Sequence, residues 1–193
     1  FQGGHNQHRM PAPGGASLAP WVAGCTSILC TFILIWLSSP IRAADSVVVF
    51  NEIHYHPLDE NNDTEWIELR SLMGVNVDMS GWELEGGVNY TFAEDTVIPG
   101  HGYLLIAADP NHHTLTGKRA LGPFTGRLAN NGETVRLVNN SDRTMDSVSY
   151  GDDGDWPVGA DGLGATLSKR TQNTAESRPF NWVASSESGG TPG

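Results

Sequence analysis

Two cysteines are all that this chain of 193 residues contains, and both, Cys25 and Cys30, lie in an apolar stretch near its start. A domain built from the remainder can form no disulfide. Its stability must come from core packing and hydrogen bonding, which a domain of roughly 150 residues can supply. Acidic residues are absent before Asp45, and basic ones are scarce after it. All 22 Asp and Glu follow that point, against Arg70, Lys118, Arg119, Arg127, Arg136, Arg143, Lys169, Arg170 and Arg178. Such a surface repels a phosphate backbone unless a local basic patch overrides it, and only two adjacent basic pairs occur. Nucleic acid is therefore not an expected partner. Catalytic spacings are missing as well: there is no G-x-S-x-G elbow, no G-x-x-x-x-G-K-[ST] loop and no H-E-x-x-H helix. Ser141, Asp142 and the histidines define no triad by sequence. The chain reads as a non-enzyme.

Long apolar runs are also few. The uncharged stretch from Trp21 to Leu37 is the main one, with Ile28–Leu37 its most apolar part. Ser38, Ser39 and Pro40 break it, and Ile41-Arg42-Ala43-Ala44 follows, with a cut after Ala43 favoured over one after Ala44. Residues 1–9 resemble upstream readthrough or a scar, and 10–44 read as a secretory signal helix. The rival readings are an uncleaved anchor, for which the run is short of the ~20 apolar residues a span needs, and a lipoprotein signal around Cys25. In the lipoprotein case the apolar run follows the cysteine instead of preceding it. The expected location is secreted or cell-surface, with membrane contact only through this segment if it stays attached.

From Asp45 onward the chain is turn-rich and β-branched. Val47–Tyr55, Thr64–Leu72, Trp82–Gly87 with Val88–Phe92, Tyr103–Ala108, Glu133–Asn139 and Thr144–Tyr150 read as strands, with short late ones at Ala165–Arg170 and Asn181–Ser185. In the second, Ile67 and Leu69 alternate with Trp66, Glu68 and Arg70, the pattern of a half-buried strand. A short helix is expected near Asn111–Leu115. About eight short strands between regular turns predict an all-β antiparallel sandwich or barrel over 45–188. Residues 189–193 read as the start of a linker.

Two acidic loops offer oxygen ligands for a hard cation. Asp59 and Asp63 stand with Glu60, Asn61, Asn62 and Glu65 in the first; Asp152, Asp153 and Asp155 stand with Asp161 in the second. Calcium is the cofactor these loops would take, and solvated turns are the alternative. No other cofactor is expected. His54 and His56, with Glu52 on the same parity, would suit zinc or copper only with further ligands, and His112-His113 lies in a distant loop. Loop-tethering histidines are the simpler reading. Trp66, Trp82, Trp156 and Trp182 are expected to plug the core or seal its ends. Glu65 and Glu68 are expected to tie loops through backbone N–H groups.

The order of several short motifs resembles the lamin tail domain family in its bacterial, exported form. They are Glu52-Ile53-His54-Tyr55-His56-Pro57, Glu65-Trp66-Ile67-Glu68-Leu69, Ser80-Gly81-Trp82, Ile98-Pro99-Gly100-His101-Gly102-Tyr103, Gly132-Glu133-Thr134-Val135-Arg136-Leu137 and Asp146-Ser147-Val148-Ser149-Tyr150. Asp155-Trp156-Pro157, Leu167-Ser168-Lys169-Arg170, Asn181-Trp182 and Gly189-Gly190-Thr191-Pro192-Gly193 continue the pattern. Arg70-Ser71 departs from it, since relatives often carry Asn second. The resemblance implies an immunoglobulin-like antiparallel β-sandwich on an exported protein, joined to larger partners such as spore-coat-H-like or surface-enzyme domains. The expected function is a non-catalytic binding or structural module contacting protein or glycan at the cell exterior, with additional domains in the same chain. The alternatives are a calcium-stabilised adhesion module and the accessory part of a secreted enzyme whose catalytic domain lies beyond residue 193.

Overall fold

The computed structural model describes residues 46–172 and 177–193. The expected signal helix lies outside them. Among the described residues thirteen strands follow in order: β1 (Val48–His54), β2 (Trp66–Ser71), β3 (Val77–Asp78), β4 (Glu83–Glu85), β5 (Val88–Thr91), β6 (Val97–Ile98) and β7 (Tyr103–Ala107). Then come β8 (Ala120–Leu121), β9 (Thr125–Gly126), β10 (Gly132–Val138), β11 (Thr144–Gly151), β12 (Leu167–Lys169) and β13 (Trp182–Ala184). The six-stranded sheet has the order β13-β12-β1-β2-β7-β8, and the five-stranded sheet β11-β10-β4-β5-β9. β3 pairs with β6 alone. Pairing is antiparallel except between β7 and β8, which run parallel, a departure from the expected uniform sheet. The short helix expected at 111–115 is a single 3₁₀ turn, His113–Leu115. Among the described residues there is no α-helix, and none is long and apolar enough to cross a membrane.

The strands that carry β-branched and aromatic residues are the ones that pair at length. The hairpin expected around Gly86-Gly87 forms, with Glu83 opposite Thr91 and Leu84 opposite Tyr90. Phe50, Ile53, Ile67, Leu69, Ile106 and Leu167 of the larger sheet meet Leu84, Val88, Val135, Leu137, Met145 and Val148 of the smaller one in one buried cluster. This is the sheet-on-sheet core of a β-sandwich.

A β-bulge decides the character of β1. Phe50 pairs with Leu69, but Glu52 pairs with Glu68, so Asn51 is the extra residue. The insertion flips the parity of every side chain after it. Val48 and Phe50 reach the core before the bulge, and Ile53 and Tyr55 reach it afterwards. Asn51 and Glu52 fall together on the outer face, beside Glu68. That face is covered too: Trp66, Leu105, Ala107 and Leu115 form a second cluster there, with Ala120 against it. β2 is therefore buried on both faces. The half-buried strand expected from its alternation is corrected by the connection 108–120, which folds over it.

Candidate functional site

The outer face of the six-stranded sheet holds a cleft. It measures about 560 Å³ and is lined by His54, Asp59, Trp66, Lys118 and the segment Ser188–Pro192, among others. Its size lies within the range of small-ligand and short-segment sites. Leu58 borders it, and Leu58 and Leu163 are each 66% exposed on adjoining loops.

His54 closes β1. Its Nδ1 lies 3.0 Å from the Thr64 carbonyl oxygen. A carbonyl only accepts, so Nδ1 carries the hydrogen and Nε2 the lone pair. Burial lowers its pKa from the usual histidine value, outweighing the Thr64 hydrogen bond and the Asp59 charge. The ring is a neutral tether for the 57–64 loop, packed 5.8 Å from Trp66. His56 serves the same purpose elsewhere, with Nδ1 2.7 Å from Asp161 Oδ1, which ties the 151–164 loop to the end of β1. The shared metal-binding face for His54 and His56 does not form: β1 ends at His54, and the two rings hold different loops.

The calcium candidates are separated in the same way. Asp59 Oδ1 accepts the Asn61 backbone N–H at 3.1 Å, and Asn61 Oδ1 accepts that of Asp63 at 3.1 Å. The first acidic loop thus uses a carboxylate and an amide to bind its own backbone. Asp153 and Asp155 are exposed in the second loop and Asp152 is half-buried. Among the described residues no three or more His, Cys, Asp or Glu side chains are grouped to hold a metal ion.

Buried carboxylates, by contrast, hold loops as expected, and do more of it than the sequence shows. Glu65 is fully buried and accepts the Leu128 N–H at 2.7 Å. Burial pushes its carboxyl up to about 7, against the Leu128 hydrogen bond and the Arg127 charge. Glu52 and Glu68, opposite one another across β1 and β2, are both buried. Glu52 accepts the Thr166 hydroxyl and, from Thr191, the backbone N–H at 3.1 Å and the hydroxyl at 2.9 Å. Glu68 accepts the Asn51 amide at 2.7 Å and the Gly193 N–H. Burial raises the Glu68 pKa, opposed by these two donors. Residues 189–193, expected to begin a linker, lie across the sheet as a strap and form one wall of the cleft. Gly190 has φ +80°, and a Cβ there would stand 2.6 Å from Glu52 Oε1 and 2.7 Å from the Trp66 ring. Only glycine lets the strap lie so close.

The tryptophans behave as expected of packing residues. Trp66, Trp82 and Trp182 are buried, and half-buried Trp156 lies 6.5 Å from Trp182 between ring centres. What the sequence reading missed is the carboxylate pair and its strap. The sequence marks Glu68 as a loop tie and Glu52 only as a companion of His54 and His56, and no local signal announces either the bulge or the covering segment.

The cleft therefore offers a neutral imidazole, one carboxylate, one ammonium, hydroxyls of Thr64, Thr114 and Thr191, and an apolar rim. Of these hydroxyls, that of Thr191 donates to Glu52 at 2.9 Å and that of Thr114 lies 2.9 Å from His112 Nδ1. A family model described as Lamin Tail Domain matches residues 42–152. The sandwich continues past that match through β12, β13 and the strap. No curated protein matches the chain.

Proposed function

Because the chain belongs to the lamin tail domain family, we propose that it is a non-catalytic interaction module of an exported protein and that it takes its partner at the cleft on the outer face of the six-stranded sheet. Lamin tail domains are immunoglobulin-like and generally act as interaction modules. The carrying observation is the pairing of a cleft of about 560 Å³ with the exposed Leu58 and Leu163 beside it. Apolar side chains beside a concavity give a partner a desolvated contact next to the polar groups that line it. Export is supported by the uncharged run Trp21–Leu37 and the Ser-Pro break after it. The partner is a protein at the cell exterior: the rim is aliphatic and two loops wide, which suits an extended peptide segment.

The test is binding of the labelled protein to envelope preparations from its source, with Leu58→Ser/Leu163→Ser as the comparison. Wild type binds, protease treatment of the envelope removes the binding, and the double variant loses at least tenfold in affinity with its melting temperature unchanged. Retention of binding after proteolysis but not after glycosidase treatment would replace the protein partner with a glycan. Equal binding by both proteins would remove the cleft from the reading. N-terminal sequencing of secreted material, expected to begin just after Ala43, tests export separately.

A further inference from the structure

We propose that Lys169 and Asp146 condense into an isopeptide bond that ties the two sheets of the sandwich together. Asp146 sits on β11 of the five-stranded sheet and Lys169 on β12 of the six-stranded one. Their side chains meet inside, with Nζ 4.0 Å from Oδ2. Asp146 is 2% exposed and Lys169 3%. The amine lies 5.5 Å from the centre of the Trp182 ring. The carboxyl group is fixed from two sides: Oδ2 accepts the Phe50 backbone N–H at 2.9 Å and Oδ1 accepts that of Ser147 at 2.9 Å.

Each of these features favours amide formation over a lasting ion pair. Nζ stands 4.0 Å from Oδ2, so addition to the carboxyl is intramolecular and needs no diffusional encounter. The two backbone N–H groups point at the oxygens on which negative charge grows as the amine adds. Burial opposes the ionised forms of both groups. It raises the Asp146 carboxyl to about 6 even with the Lys169 charge pulling the other way. A proton passed from ammonium to carboxylate leaves two neutral groups in the core. The neutral amine then adds through its lone pair to Cγ, and the new C–N bond forms. A second nitrogen proton leaves with the hydroxyl as the C–O bond breaks. The balance is one ammonium and one carboxylate converted to one amide and one water, with no change of oxidation state and no other reactant. The product removes two charges from the core. It also gives residues 46–193, which contain no cysteine, a covalent brace between sheets.

Peptide mapping of the purified full-length chain under denaturing conditions tests this. The expected result is a single tryptic peptide, residues 144–170, closed on itself between Asp146 and Lys169 and lighter by one water than its sequence, because trypsin cannot cleave after the acylated Lys169 and no other Lys or Arg lies between Arg143 and Arg170. Lys169→Arg keeps the positive charge but removes the amine, and circular dichroism establishes that it folds; it yields the Asp146 peptide at its full sequence mass. A wild-type digest with linear peptides of unreduced mass and cleavage after Lys169 overturns the proposal. So does a one-water loss that persists in Lys169→Arg, because the link then lies elsewhere.

Discussion

Glu65 shows at the level of one residue how a carboxylate can serve packing and still be electrostatically unfavourable. It is fully buried and holds Leu128 in place, yet burial lifts its pKa from 4.5 to about 7. A carboxyl whose folded pKa is raised binds its proton more tightly in the folded state. Its stabilising contribution is complete below the unfolded value and is lost as pH rises through the folded one. Between about pH 4.5 and 7 this group lowers stability by about 3 kcal/mol as pH increases. Glu65→Gln keeps an oxygen for the Leu128 N–H and removes the titration. Urea unfolding of this variant is expected to show a flatter pH dependence than wild type and a higher midpoint at pH 8. A wild-type slope that survives in the variant would show that the dependence arises at other residues.

The strap of residues 189–193 is the element on which the outer face depends. Its hydrogen bonds end on Glu52 and Glu68, whose partners elsewhere are Thr166 and Asn51. Hydrogen bonds to carboxylates contribute more than neutral ones, about 1.5–3 kcal/mol each. Leaving either carboxylate buried without them is correspondingly costly. Gly190→Ala puts a methyl group within 2.7 Å of both Glu52 and Trp66, at a backbone angle that side chains avoid. The strap must then lift. Hydrogen exchange is expected to accelerate at least tenfold at Thr191 and Gly193, while β10 and β11, on the opposite sheet, keep their protection. Unchanged protection of the strap would mean that the contact yields without displacement.

At the scale of the whole molecule the acidic balance is a surface property. The formal charge of −11 comes with carboxylates that turn inward at Glu52, Glu65, Glu68 and Asp146 and with loop carboxylates that fasten their own turns. In the first acidic loop Asp59 and Asn61 already accept backbone N–H groups of the loop itself. The melting temperature is therefore expected to be the same in millimolar calcium and in excess chelator, within a degree. A calcium-dependent rise would require a site that binds the folded state alone, and Asp59 with Asp63, or Asp152 with Asp153 and Asp155, would be the first places to look.

Much of the fold is legible in the chain itself, for a physical reason. Hairpins and core parity depend on side chains close in sequence, so Gly86-Gly87 marks its turn and Ile67 with Leu69 marks the inward face of β2. The two-residue strands β3, β6, β8 and β9 carry too few residues to leave a pattern, and β8 pairs parallel only because the 108–120 connection returns it beside β7. The site is less legible. Trp66, Glu65 and Glu68 stand out as residues with structural work, but Glu52 reads only as a companion of His54 and His56 because nothing nearby announces the bulge at Asn51.

The sequence by itself determined that this protein is a cysteine-poor, acidic β-sandwich whose large aromatics fill its core, since hydrophobic alternation and turn chemistry act over a few residues. Only the tertiary structure decided which carboxylates leave water, that residues 189–193 cover the outer face, and that Lys169 meets Asp146. Each of those depends on segments far apart in the chain, and solvation is set by what a distant segment covers.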